Sequence, residues 1–273
     1  MAFKKVVITV LGSVVGIFAA AIIYISVVIN PNDYKPEIIQ QVKINTGGEM
    51  LIDGDIGWRF FPNIGVTLGH TQIKNPNGFP DQPLFQFDDA QVDLAFWPLL
   101  SKKIKVGLIS IKGLSFYLHT RKDGLTNLQA MQDAAQKTTA IKETKPAATS
   151  QSSIDDLAIE GIQVVDAKVV IVNLAVNLAT PSKQSIEAIN FTLGKLELDK
   201  VVALSFSAAV NTGEISALIT SKGQIKITKD FSRFDFIDLA TEITAKGDSL
   251  PGKKVVINNQ ASGYFDVTKQ FAS

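Results

Sequence analysis

The sequence contains no cysteine and only two histidines, and its 27 basic and 26 acidic side chains leave a net charge of +1. Without cysteine there are no disulfides, no thiolate nucleophile and no thiolate metal ligand, although the absence fixes no compartment. His70 and His119 lie far apart, and neither has another histidine at metal-ligand spacing, so each reads as a surface strand residue and no metal is expected. The scattered charges lack the concentrated basic face that a nucleic-acid partner requires. No Ser/His/Asp ordering, nucleophile elbow or glycine-rich nucleotide loop is present, so the chain does not read as an enzyme and no cofactor is expected. Asp53 and Asp55 flank Gly54 without the further oxygen ligands of a calcium loop, which favours a turn.

What is abundant is apolar sequence. The hydrophobic fraction is 46% and the mean hydropathy +0.19, in a chain long enough for one large or two small domains. Residues 6–29 carry no charge. As a helix they extend about 36 Å, enough for a hydrocarbon core of about 30 Å. A cleavable signal peptide has a shorter apolar core. Here apolar residues continue past the small residues Ala19, Ala20 and Ala21, so the segment reads as an uncleaved anchor. Lys4 and Lys5 place residues 1–5 in the cytoplasm as a short tip. Gly12, Gly16 and Ala20 share one face of that helix, as in helix-pairing surfaces, though small residues are common in such spans.

Residues 34–45 read as a short amphipathic helix, with Pro36 in its first turn and Gly47 or Gly48 as its cap. Residues 51–65, LIDGDIGWRFFPNIG, combine glycines, two acids and three aromatics, which excludes a regular helix. Alternation then dominates: Val92, Leu94 and Phe96, next Ile109 and Ile111, next Leu114, Phe116 and Leu118. The phase slips near Gly107 and at Gly113, as bulges or turns do. A second helix is expected at 124–136, capped by Thr126 or Asn127, followed by a flexible linker at 137–153.

Residues 154–273 are almost wholly strand-like, with candidates at 157–164, 168–174, 188–198, 202–210, 214–220, 224–228, 239–245 and 255–267. Asn211-Thr-Gly213 and Ser221-Lys-Gly223 read as hairpin turns. The division expected is an anchor at 6–29, a β module with short helices at 30–136, the linker, and a β-rich repeat region at 154–273. One pattern recurs: Ile109-Ser-Ile111-Lys-Gly113-Leu114-Ser-Phe116 aligns with Leu157-Ala-Ile159-Glu-Gly161-Ile162-Gln-Val164. Lys102, Lys103 and Lys105 form a small basic cluster that suits either a solvated, aggregation-resistant edge or anionic headgroups.

Several stretches together resemble the AsmA family. They are IIQQVKINTGG at 38–48, LIDGDIGWRFFPNIGVTLGHTQIKNPNGF from 51, WPLLSKKIKVGLISIKG at 97–113, DGLTNLQAM at 123–131 and LAIEGIQVVDAKV at 157–169. The resemblance covers about residues 4–172 and is only compositional beyond Lys200. Gly48 stands where the family often has arginine or lysine, and Leu128 where it often has tryptophan. Many members are far longer, so a short member or a fragment is expected.

The resemblance implies an inner-membrane-anchored protein with its bulk in the periplasm of a Gram-negative cell. It also implies an elongated, curved antiparallel β-sheet groove of the bridge-like lipid-transfer type. An apolar sheet face must be covered, and acyl chains serve where helices are few. The expected activity is to handle or transfer phospholipid toward the outer membrane. The alternative is a non-enzymatic assembly or regulatory factor in outer-membrane protein biogenesis, touching other envelope proteins through its sheet edges. By alternation alone, the groove floor is assigned to Val92, Leu94, Phe96, Ile109, Ile111, Phe116, Leu118, Ile159 and Val164. In the membrane-proximal motif, Gly54 and Gly57 permit turns, while Trp58, Phe60 and Phe61, closed by Pro62, anchor the first strand. About a dozen strands would give a sheet about 55–60 Å long.

Overall fold

The computed structural model describes residues 30–60, 63–95, 106–140, 158–174, 182–212 and 214–267, with backbone alone at 136–140, 158 and 182. The expected anchor with Gly12, Gly16 and Ala20, the cluster Lys102, Lys103 and Lys105, and the residues Phe61, Pro62 and Phe96 lie outside them. Among the described residues no helix is long and apolar enough to cross a membrane.

The chain is mainly β. The first strands are β1 (Met50–Ile52), β2 (Gly57–Arg59), β3 (Gly65–Leu68) and β4 (Thr71–Ile73). Next come β5 (Phe85–Phe87), β6 (Asp89–Leu94), β7 (Val106–Lys112) and β8 (Ser115–Thr120). The second half holds β9 (Ala158–Ile159), β10 (Gly161–Asn173), β11 (Ser182–Leu193) and β12 (Leu196–Glu197). It ends with β13 (Val201–Asn211), β14 (Ile215–Ile227), β15 (Arg233–Gly247) and β16 (Lys254–Asp266). Fourteen of these form one open, curved sheet whose longest path crosses ten strands from β1 to β16. Ten strands about 4.8 Å apart span about 45 Å, shorter than the sequence suggested.

The first eight strands are halves of four longer ones. Each consecutive pair lies end to end, and from β3 to β8 the partner register is kept across the gap: Val92 opposes Ile109 and, past the gap, Phe85 opposes Phe116. Between the first two longer strands it shifts by one, Trp58 opposing Val66 and Met50 opposing Ile73. The gaps align across the sheet at Gly69 and His70, at Asp88, and at Gly113 and Leu114. The line continues as bulges at Asp166 in β10 and Ala188 in β11, and a separate bulge stands at Asp238 in β15, opposite Gly223. Gly113 has φ 67°, and the three non-glycine residues have φ 54°, 49° and 51°. A left-handed residue within a strand bends it and breaks the two-residue alternation.

The expected wholly antiparallel sheet is instead mixed. β10 runs parallel to both β7 and β8, Ile162 opposing Ile109 and Val169 opposing Phe116. Parallel neighbours need a crossover, and a helix lies in the connection from Thr120 to Gly161. That helix, α2 (Asn127–Ala140), passes its expected end at 136 and enters the expected linker. Thr126 caps it: its Oγ1 accepts from Gln129 N, while Gln129 Oε1 accepts from Thr126 N. The two repeat copies lie side by side but out of repeat register, Ile109 opposing Ile162 and not Leu157.

The earlier helix, α1 (Lys35–Thr46), has Pro36 in its first turn and ends on Gly47 at φ 71°, as its sequence requires. The helices touch where a Cβ on Gly47 would lie 2.5 Å from Met131 O. Asn127, fully buried, ties α2 to the sheet: its Oδ1 accepts from His119 N and its Nδ2 donates to Tyr117 O and Asn75 Oδ1. His119 is therefore buried, not the surface residue expected, and its Nε2 has no partner among the described residues. Two further expectations change. The segments at 157–164 and 168–174 merge mainly into β10, and those at 214–220 and 224–228 into β14, so Ser221-Lys-Gly223 is strand and not a hairpin turn.

A buried cluster of Leu193, Leu196, Val202, Ile225 and Ile227 forms the second half's core. β9 and β12 close over one end of it, continuing the β10–β11 ladder as Ile159 opposes Leu196.

Two measurements follow from these contacts. A Cβ at Gly113 would stand 2.0 Å from Asp88 Oδ2 in a left-handed backbone, so Gly113→Val should cost about 1–3 kcal/mol in urea unfolding. Burial lowers the His119 pKa. Below pH of about 6.5 the unfolded chain then binds a proton that the folded chain refuses. Stability should fall as pH drops from there until the folded His119 protonates, and His119→Leu should remove that component of the slope.

Candidate functional site

Residues directly opposed in a ladder project to the same face. One row therefore runs Trp58, Val66, Val92, Ile109, Ile162, Leu193, Leu204. The next runs Leu68, Ala90, Ile111, Val164, Phe191, Phe206. Past the line of slips a third row crosses the entire sheet: Met50, Ile73, Phe85, Phe116, Val169, Ile186, Val210, Ala217, Ala245, Val255. Every member is apolar.

These rows lie on a single face. β13 pairs with β14 without interruption, so Leu204, Phe206 and Val210 project together, and each belongs to one of the three rows. Ile111 and Phe116 are an odd number of residues apart, as are Val164 and Val169, and Phe191 and Ile186. Plain alternation would put each pair on opposite faces. The slips at Gly113, Asp166 and Ala188 restore the phase, so the apolar side stays apolar on both sides of the line.

Val92, Leu94, Ile109, Ile111, Phe116, Leu118 and Val164 all occupy this face, and Ile159 packs onto the core cluster beside Ile162. Most are half-buried, because the described helices stand near β1 and β8 and leave the rest of the face open. Ile257 on the last strand is 52% exposed and Phe265 41%. Polar groups interrupt the face where Ser221, Thr241 and Asn259 follow Phe206 in register and Ser221 and Thr241 share a 2.9 Å hydrogen bond, and again at the buried Thr71 and at Gln184 opposite Ile171.

The stretch at 51–65 closes one end of the sheet. Gly54 turns the chain at φ 78°, whereas Gly57 is an ordinary strand residue beside Thr67 and makes no turn. Trp58 and Phe60 stack at 6.0 Å. Alternation had set Asp93 on the solvent side of its strand, yet it is 5% exposed, because Arg59 reaches it across the bare backbone of Gly65. Asn63 Nδ2 donates to its second oxygen at 2.7 Å. A Cβ on Gly65 would meet Val92 O at 2.6 Å, so glycine makes room for this clamp. Arg59 and Asp93 lie too far apart in sequence for spacing to couple them. The glycines opposite and beside Asp93, Gly65 and Gly107, were the available signal.

The AsmA family model matches residues 1–257. The chain belongs to the AsmA family. Protein AsmA of Escherichia coli (strain K12) is 27% identical over 97 residues, which cover 36% of this chain and 15% of that protein. The match thus spans a small part of that relative's length.

No group of three or more metal-ligating side chains comes together among the described residues. Breaking the clamp is the sharpest test of the end-strand architecture. Asp93→Ala should cost about 3 kcal/mol by leaving a mostly buried guanidinium unpaired. Arg59→Met combined with Asp93→Leu should cost less than Asp93→Ala alone, as read from denaturant midpoints.

Proposed function

We propose that this protein is an envelope protein that holds phospholipid acyl chains on its open apolar face and hands them on toward the outer membrane. In this reading residues 6–29 anchor it in the inner membrane, and the sheet stands in the periplasm. One observation carries the proposal: an apolar row continues across all ten strands of an open sheet, and among the described residues no second layer covers most of it. So large an exposed apolar surface normally has a ligand or partner. A lipid tail, about half of a 30 Å hydrocarbon core in length, is short against a face about 45 Å across. Family membership supports an envelope role.

Apolar side chains outnumber polar ones on the face, whose polar notch is at Ser221, Thr241 and Asn259, which suits a surface that slides chains and does not transform them. The sheet is too short to cross a periplasm alone, so it acts as a loading station or as one segment of a longer path.

The full chain, extracted from native membranes in mild detergent, should retain phospholipid detectable by mass spectrometry. Ile111→Glu together with Phe116→Glu places two charges on the floor and should lower bound lipid about tenfold while the circular dichroism stays β. Equal lipid in the variant and the parent would sink the proposal.

A further inference from the structure

A cleft of about 570 Å³ opens where the end of α1, the middle of α2 and the loop after β4 meet. That volume lies within the range of small-ligand sites. One wall is held in place by Asn75. Its Nδ2 donates to Pro80 O at 3.1 Å and to Gln82 O at 2.8 Å, and its Oδ1 accepts from the buried Asn127. A wall tied to its own loop and to α2 is shaped before anything binds.

The lining carries charge of both signs in equal number: Lys43 and Lys74 against Glu49 and Asp81. Lys74 Nζ and Glu49 Oε1 stand 3.3 Å apart, and both side chains are about half exposed. An exposed pair of this kind contributes little to stability, so a ligand opens it easily. An anion alone would meet the two carboxylates, and a cation alone the two ammonium groups. A group that carries both charges can pair with all four. Among the described residues of the lining only Phe79 is aromatic, and the Arg121 guanidinium already lies over its ring, 5.6 Å from the centroid. There is no aromatic cage for a quaternary ammonium. A primary ammonium, which donates hydrogen bonds to carboxylates, fits instead.

The cleft also adjoins the apolar face. A Cβ at Gly48, which lines it, would lie 2.9 Å from Met131 Sδ and 2.6 Å from Ile73 Cγ2. Ile73 belongs to the apolar row that crosses the entire sheet, between Met50 and Phe85. Charged cleft and apolar row thus meet across a single glycine.

We propose that this cleft binds the head of a zwitterionic phospholipid, with the phosphate diester on Lys43 and Lys74 and the primary ammonium on Glu49 and Asp81. The tails then run onto the row that starts at Met50. Their course rests on the lipid-holding role proposed above, whereas recognition of the head does not.

Glycerophosphoethanolamine separates the two, because it has the head and no tails. Titrated by calorimetry into the full chain in a maltoside detergent, it should bind with a millimolar dissociation constant. Glycerophosphoglycerol, which lacks the ammonium, should bind about fivefold more weakly, the worth of one exposed charge pair. Lys43 and Asp81 are exposed, so Lys43→Ala and Asp81→Ala should keep the fold and each weaken binding about fivefold. Glu49→Lys combined with Asp81→Lys should reverse the preference toward glycerophosphoglycerol. Ile111→Glu with Phe116→Glu should leave binding of the head unchanged. A chain that binds glycerophosphoethanolamine in this way but retains no phospholipid would sink the lipid-holding role and leave the cleft assigned. No binding of glycerophosphoethanolamine, equal binding of the two compounds, or binding untouched by both Lys43→Ala and Asp81→Ala would each overturn the proposal.

Discussion

An apolar face on a sheet survives only if every strand keeps the same parity on that side. The backbone alternates with a period of two, so one extra residue turns all that follow it to the other face. In this protein ten strands share a face, and six of them carry such an extra residue without losing it, because the side-chain pattern slips with the backbone. Ala90 and Phe85, Ile111 and Phe116, Val164 and Val169, and Phe191 and Ile186 are matched across the line, and the left-handed residues at Gly113, Asp166 and Ala188 make the match. The curvature of the sheet, its open apolar side and its candidate lipid-handling role all depend on that agreement between sequence phase and backbone phase.

Part of this was readable from the sequence. The alternation at 92–96 and 109–118, the slip at Gly113, both helix caps and the family motifs carry local information, and local structure follows it. The continuous strand at Gly223 was not distinguishable from a hairpin turn, because a polar pair followed by glycine between apolar runs serves both. Only the pairing partner, Leu204, decides. The parallel neighbours of β10 were hidden for a related reason: strand direction is set by a crossover and not by composition. His119 and Asp93 looked exposed because alternation describes one face at a time, whereas their burial comes from Asn127 and Arg59 arriving from elsewhere in the chain.

The contrast between the first and last described strands shows what composition can and cannot disguise. Asn32, Lys35, Asp53 and Asp55 surround the first edge with groups that satisfy or repel a docking strand. In β16, by contrast, the charges Lys254 and Asp266 stand only at the two ends of the strand.

The line of slips also changes the meaning of chain length. Deleting one residue from the turn between β13 and β14 would shorten a turn and leave both strands facing as before. Deleting Asp166 would keep β10 the same to any profile of average hydropathy, yet it would turn Val169 and Ile171 to the far face while Ile162 and Val164 stayed in place. Within such strands a single-residue gap is a change of sidedness. Two relatives that align well except for one gap at this line can therefore differ in which half of the sheet is open to a ligand.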